Sequence, residues 1–165
     1  MVTLKKVRFG NIIKCARLKV APEQKRFVAS NKSSIWQAFL VNRRLLGKGS
    51  IARPYAIYAD GKIVGFIMYA FFTKAFSEKH VAKRKEDYYY FWRFMIDKNQ
   101  QGKGYARQAL TLTLEEIRKK PYGEASYCYV SYEPENAVVR KWYQNLGFEE
   151  TGELLAGELV ARIRI

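Results

Sequence analysis

The most informative stretch is Phe94-Met95-Ile96-Asp97-Lys98-Asn99-Gln100-Gln101-Gly102-Lys103-Gly104-Tyr105-Ala106-Arg107. A hydrophobic strand runs into a glycine-rich turn, and the turn opens a helix. Such a turn leaves successive backbone N–H groups unpaired and pointing outward, and the dipole of the following helix adds positive potential there. Both favour a phosphate or pyrophosphate. Glycine lets the backbone approach the anion closely, and Lys103 and Arg107 add charge. Two familiar phosphate loops are excluded. The stretch lacks a Gly-Lys-Ser/Thr ending, so it is no Walker loop. The dinucleotide fingerprint wants glycine or alanine where Arg107 stands, and this strand is not the first of the fold.

Working outward, the aromatic run Tyr88–Ile96 reads as a buried strand. Upstream, Tyr55–Ala59 and Lys62–Phe72 read as two strands joined by Asp60-Gly61, the strongest short hairpin signal a sequence gives. Residues Thr73–Glu86 are charged and irregular, a loop that holds the only histidine, His80. Nearer the start, Thr3–Phe9 alternates as a first strand, and Asn11 can cap a helix over Ile12–Leu18. Pro22 breaks the chain. Ser33 or Ser34 can cap a second helix carrying Ile35, Trp36, Phe39, Leu40 and Leu45, which Gly47-Lys48-Gly49-Ser50 ends. Downstream come a helix over Gly104–Lys119 ended by Pro121, a strand over Ala125–Tyr132, a helix over Asn136–Leu146, and β structure from Phe148 to Ile165. The order βααβββαβαβ, with strand–helix–strand units in the second half, argues an α+β or α/β sheet domain. No repeat or linker interrupts residues 1–165, so one domain is expected.

Composition agrees with a globular chain. The 165 residues are 48% hydrophobic and 27% charged, which excludes disordered, collagen-like and coiled-coil classes. The longest apolar run, Val64–Phe72, falls short of the ~20 residues that cross a bilayer. The first residues lead into an alternating pattern rather than an apolar signal core, so a soluble, cytoplasmic protein is expected. Cys15 and Cys128 make no disulfide framework or metal spacing and read as small core residues, with no metal expected. Thirty Lys plus Arg against 15 Asp plus Glu give a net charge of +15, which favours anionic partners. The cations are scattered, with no continuous basic stripe, helix-turn-helix or zinc-finger spacing, so neither a specific nucleic acid nor a membrane is expected as partner.

The second informative stretch is Asn136-Ala137-Val138-Val139-Arg140-Lys141-Trp142-Tyr143-Gln144-Asn145-Leu146-Gly147-Phe148. Ala137, Arg140 and Gln144 share one helical face; Val139, Trp142, Tyr143 and Leu146 share another. Gly147 suits the C′ position that ends the helix.

Together the two stretches resemble the GNAT superfamily of N-acetyltransferases. Its cofactor loop follows Gln/Arg-x-x-Gly-x-Gly/Ala, here Gln101-Gly102-Lys103-Gly104-Tyr105-Ala106, and its second hallmark is an Asn-led helix carrying a Tyr and closing in Leu-Gly-Phe. The resemblance implies a three-layer α+β fold, a mixed and mostly antiparallel central sheet flanked by helices. A narrower resemblance, to bacterial diamine and polyamine acetyltransferases, rests on softer signals. These are Ala21-Pro22-Glu23-Gln24, Phe27-Val28-Ala29-Ser30-Asn31, Arg93-Phe94-Met95-Ile96-Asp97, Thr151-Gly152-Glu153 and Gly157-Glu158.

The resemblance implies acetyl transfer from acetyl-CoA to a primary amine by direct attack in a ternary complex. Phe94, Met95 and Ile96 would present backbone groups to the pantetheine arm. Gln101, Gly102, Lys103, Gly104, Tyr105 and Ala106 would hold the pyrophosphate with Arg107 close by. Asn136 would contact the cofactor arm, and Tyr143 would protonate the leaving thiolate, as a phenol of pKa ~10 can at neutral pH. The expected acceptor is a diamine or polyamine such as spermidine or spermine. An antibiotic amine, a peptide or protein amine, and a noncatalytic acyl-CoA-binding module are the alternatives, and the family's habits are compatible with a homodimer. The amine must also lose a proton. Many family members use a Glu on the central strand, yet no carboxylate lies between Asp87 and Asp97. A water relay or a carboxylate such as Glu23 or Glu133 is left for that task. An acidic acceptor channel could draw on Glu23, Glu78, Glu86, Asp87, Glu133 and Glu135.

Overall fold

The Asp60-Gly61 turn folds as the sequence predicts: both residues have positive φ, 48° and 77°, the left-handed pair that a two-residue hairpin needs. It joins β2 (Ile51–Ala59) to β3 (Lys62–Phe72), with Ala59 opposite Lys62. The computed structural model describes residues 1–27, 29–45, 49–76 and 84–165. His80, Gly47 and Lys48 lie outside the described residues.

Around this hairpin a seven-stranded sheet forms in the order β1-β2-β3-β4-β5-β7-β6. β1 is Val2–Lys6, β4 Tyr88–Ile96, β5 Tyr127–Tyr132, β6 Glu149–Leu155 and β7 Glu158–Arg164. Every pairing is antiparallel except β4 with β5. The terminal β structure expected from Phe148 is a hairpin, and its second strand inserts between β5 and β6. Two clusters fill the two faces. On one, Phe91, Val130, Tyr132 and Tyr143 join Leu110, Leu114 and Ile117 of α3 (Tyr105–Arg118). On the other, Tyr88, Tyr90, Met95, Tyr129 and Val160 join Cys15 of α1 (Ile12–Arg17) and Ala38 and Val41 of α2 (Asn31–Asn42). The expected three layers are present. Cys15 and Cys128 are free thiols buried in the core, and burial pushes both well up from the ordinary thiol value.

Four boundaries differ from the expectation, each for a local reason. β1 stops at Lys6 rather than Phe9, because Asn11 turns the chain: it accepts from Arg8 N at 2.8 Å and donates to Lys6 O at 3.1 Å. Asn11 holds the N-cap position of α1, but its side chain bonds backward instead of capping. α2 begins at Asn31, ahead of Ser33 and Ser34, because Ser30 is its cap and accepts from Ser33 N at 3.1 Å. It ends well before the glycine run. Arg44 takes φ 60°, its N–H reaches Val41 O and that of Leu45 reaches Leu40 O, a Schellman closure made without glycine. β2 starts at Ile51, four residues earlier than Tyr55, and includes Pro54. β1 ends its pairing at Tyr55, so Pro54 has no ladder donor to lose and its carbonyl accepts from Val7 N.

Candidate active site

The site lies where the only parallel pair among the described residues comes apart. β4 and β5 pair through Tyr89–Cys128, Tyr90–Tyr129 and Phe91–Val130 and then stop. Beyond Phe91, β4 keeps β3 on one edge, while among the described residues its β5-facing edge has no strand partner. A bulge starts this parting. Phe91 opposes Tyr69 and Arg93 opposes Met68, leaving Trp92 as the extra residue. The pleat therefore changes phase: Phe91 and Phe94, three apart, both belong to the α3 face.

The glycine-rich turn closes the open end of β4. Asp97 caps the short 3-10 turn Lys98–Gln100, accepting from Asn99 N at 3.1 Å, and also takes Lys19 N at 3.1 Å. Gln101 donates to Ile96 O at 3.0 Å and to Gln24 Oε1 at 2.8 Å, so its side chain ties the loop to β4 and to the turn at Pro22–Gln24. Any contact it makes with an anion would come from its backbone. Gly102 and Gly104 both take left-handed φ, 78° and 75°. Gly104 is the N-cap of the 14-residue α3 and supplies no side-chain cap, so the first N–H groups of the helix stay open. No heavy atom lies within 4 Å of a Cβ built on either glycine. That is the cradle a pyrophosphate needs.

Two cavities flank the parted strands. The first, about 660 Å³, is walled by Phe94, Met95, Ile96, the whole loop Gln101–Arg107 and Asn136. All eleven residues expected to hold the cofactor are brought together there. Asn136 is the N-cap of α4 (Ala137–Asn145), accepting from Val139 N at 3.3 Å. The second cavity, about 730 Å³, is walled by Tyr90, Trp92, Arg93, Ser131, Glu133 and Tyr143, among others. The two share Arg26, Phe27, Phe94, Asn136 and Val139, so they meet at the gap between β4 and β5.

Tyr143 stands in the second cavity, 4% exposed. Its ring stacks on Tyr132 at 5.9 Å and meets Phe91 at 5.9 Å and Phe148 at 5.3 Å edge-on. Burial raises its pKa far above the ordinary phenol value. The upward shift favours the neutral O–H. A lever outside the cavity fixes it: Arg140 grips Glu150 at 2.6 Å, and Glu150 accepts from Tyr132 at 3.0 Å, which holds the stacked ring.

The carboxylates are dispersed. Of those proposed for an acidic channel, Glu133 lines the second cavity and Glu23 and Glu135 line the first. Asp87 accepts from Lys74 N and Glu86 from Ser126, both elsewhere, and Glu78 lies outside the described residues. The second cavity sets Lys25, Arg26 and Arg93 against Glu133 and Glu158. Tyr90 and Ser131, which sequence reasoning passed over, and Glu158, which it noted only in a motif, also line it. No spacing signal could find them, because β7 reaches β5 by strand order rather than by sequence. Among the described residues no three His, Cys, Asp or Glu side chains could share a metal ion, and no helix is long and apolar enough to cross a membrane.

A phosphate cradle beside an open strand edge suits a long, phosphate-bearing ligand laid along β4. Residues 15–148 match the acetyltransferase (GNAT) family, and the chain belongs to it. Over 102 residues it is 29% identical to a probable spermine N(1)-acetyltransferase of Bacillus subtilis subsp. natto, and 28% identical to a spermine/spermidine N(1)-acetyltransferase of Bacillus subtilis. Each match spans 62% of this chain and 62% of the relative. Its fold superposes on an aminoglycoside acetyltransferase solved with coenzyme A, at TM-score 0.73 and 14% identity over 99% of this chain and 95% of that one. It also superposes on a spermidine N-acetyltransferase from Vibrio cholerae solved with CoA and spermine, at TM-score 0.63 and 18% identity over 99% and 94%.

Proposed function

We propose that this protein transfers the acetyl group of acetyl-CoA to a primary amine, with a diamine or polyamine as the acceptor. The observation that carries the reading is the junction of the two cavities at the parted β4–β5 pair, with a phosphate cradle at one end and a buried neutral phenol at the other.

The residues fit acetyl-CoA as co-substrate. The backbone of Gln101–Ala106 and the α3 N-terminus take the pyrophosphate, with Lys103 and Arg107 adding charge. Phe94, Met95 and Ile96 offer the unpaired edge of β4 to the amide-bearing arm, and Asn136 flanks it from the start of α4. The thioester then lies at the shared wall. Backbone groups of β4 polarise its carbonyl, an oxyanion-type stabilisation. The amine attacks from the second cavity, and Tyr143 gives its proton to the departing thiolate. In this reading Tyr143 is the catalytic acid.

Two things support a diamine or polyamine: the relatives of 28–29% identity, and two carboxylates, Glu133 and Glu158, in the acceptor cavity. A second reading, a peptide amine, is favoured by the three cations that line the same cavity and oppose a polycation, an aminoglycoside as much as a polyamine. The test is thiol release from acetyl-CoA with spermidine, an aminoglycoside or a peptide as the added amine. Saturable release with spermidine supports the first reading. Release only with the peptide supports the second, and no amine-dependent release refutes transfer.

A further inference from the structure

Three side chains that the acid step does not use meet where the strands part. Tyr90 is on β4, paired with Tyr129 and one residue from the last pair; Ser131 is one residue past the last paired residue of β5; Glu158 opens β7. Their parity puts them on one face. Tyr90, Tyr129 and Val160 all belong to the cluster under α1 and α2. Ser131 shares the parity of Tyr129, and Glu158 that of Val160. Tyr143, Tyr132 and Phe91 belong to the opposite cluster. Both groups line the same cavity, so they flank the gap from opposite faces of the sheet.

The hydrogen bonds run in one direction. Ser131 Oγ contacts Glu158 Oε2, and Tyr90 Oη lies 2.6 Å from Ser131 Oγ. An ionised carboxylate only accepts, so the single hydroxyl proton of Ser131 goes to Glu158. Tyr90 must then donate to Ser131. The chain Tyr90→Ser131→Glu158 ends with the negative charge on Glu158, held in the cavity. Arg93 is the nearest cation on β4. Its guanidinium donates to Trp92 O at 2.7 Å and to Gln37 at 3.3 Å, and its Nε has no partner. Lys25 and Arg26 face the cavity from the segment before α2. The rival carboxylate, Glu133, is held by no side-chain hydrogen bond or ion pair among the described residues. Only Glu158 has a fixed direction.

We propose that Glu158 is the proton acceptor for the incoming amine, with Ser131 and Tyr90 as positioning residues that aim its carboxylate. The proposal rests on the transferase reading above. An alkylammonium has a pKa of ~10 and no lone pair, so one N–H proton must leave before attack. That proton passes to Glu158. The freed lone pair forms the C–N bond, the C–S bond breaks, and the thiolate takes the proton of Tyr143. The nitrogen gives up a second proton, which restores the phenol, and Glu158 releases its own to solvent. One ammonium and one thioester thus yield one amide, one thiol and one proton.

The test is the pH dependence of kcat/KM with spermidine for the wild type, Glu158→Gln and Glu133→Gln, with acetyl-CoA affinity as the folding control. For Glu158→Gln the expected result is a loss of about 10²–10³-fold at pH 7. Its log kcat/KM should then rise with unit slope toward pH ~10, since the amine must arrive already deprotonated. Affinity for acetyl-CoA should stay unchanged, and Glu133→Gln, which removes one carboxylate from the acceptor cavity, should raise KM for spermidine but keep the shape of the wild-type pH profile. Glu158→Asp, which withdraws the carboxylate by one methylene, should lose less and keep a shallower slope; it serves if the Gln variant does not fold. A wild-type profile in Glu158→Gln, or transfer of the loss to Glu133→Gln, overturns the assignment and leaves the transferase reading standing. No amine-dependent turnover in the wild type overturns both.

Discussion

Replacing Tyr143 by Phe separates packing from chemistry. The ring keeps its stack on Tyr132 and its edge contacts to Phe91 and Phe148, all at 5.3–5.9 Å. Its hydroxyl makes no hydrogen bond to another described group, so the substitution leaves no buried partner stranded. Stability should therefore change by less than about 0.5 kcal/mol, under about 2 °C in Tm for a chain of this size. Turnover should not be spared. Loss of a positioned general acid removes about 10²–10³-fold of rate, or about 3–4 kcal/mol of transition-state stabilisation. The assay is initial thiol release from acetyl-CoA at saturating amine, beside calorimetric acetyl-CoA binding and a melting curve. Unchanged affinity and Tm with a collapsed kcat is the expected outcome. Because burial raises the Tyr143 phenol above its usual value, the acid stays protonated as pH rises, and wild-type kcat should show no alkaline fall up to pH ~10. A variant with wild-type kcat, or a wild-type alkaline limb below that pH, would remove Tyr143 as the acid.

Other substitutions probe the frame. Gly104→Ala meets no atom within 4 Å, so its cost is the left-handed φ of 75°, about 1–2 kcal/mol, and acetyl-CoA affinity should fall about tenfold as the cradle distorts; calorimetry showing unchanged affinity would remove the loop from the cofactor site. Gly65→Ala drives a Cβ to 2.5 Å from Met95 O, and overpacking of about 1–3 kcal/mol should lower Tm and raise KM for acetyl-CoA by displacing β4. An unchanged melting curve would count against this. Glu150→Ala breaks the lever that holds Tyr132. Its partly exposed ion pair is worth only about 0.5–1 kcal/mol, yet kcat should drop several-fold as the Tyr143 stack loosens. A kcat that tracks stability alone would assign the lever a purely structural role.

Much of the fold was legible because its signals are local. Asp60-Gly61 dictates a left-handed pair, Gly104 and Gly147 mark a helix start and end by positive φ, and the aromatic run Tyr88–Ile96 could only be buried. The lining of the first cavity was legible for the same reason: eleven of its residues fall in two short stretches on either side of β5. The second cavity was not. It gathers Tyr90, Ser131 and Glu158 from three strands brought together by the insertion of β7 beside β5, a pairing no period or spacing encodes. α2 starts earlier than its serines suggest because three of them compete for one cap, and Ser34 instead bonds back to Ser30 O at 3.0 Å.

In the proposed reaction one acetyl group crosses from the first cavity to an amine in the second. Mass analysis of the amine, run beside thiol release on the same samples, follows both products at once. The expected result is one acetylated amine for every thiol released, at equal rates. Thiol release without acetylated amine, or acetyl-CoA binding without either product, would contradict it.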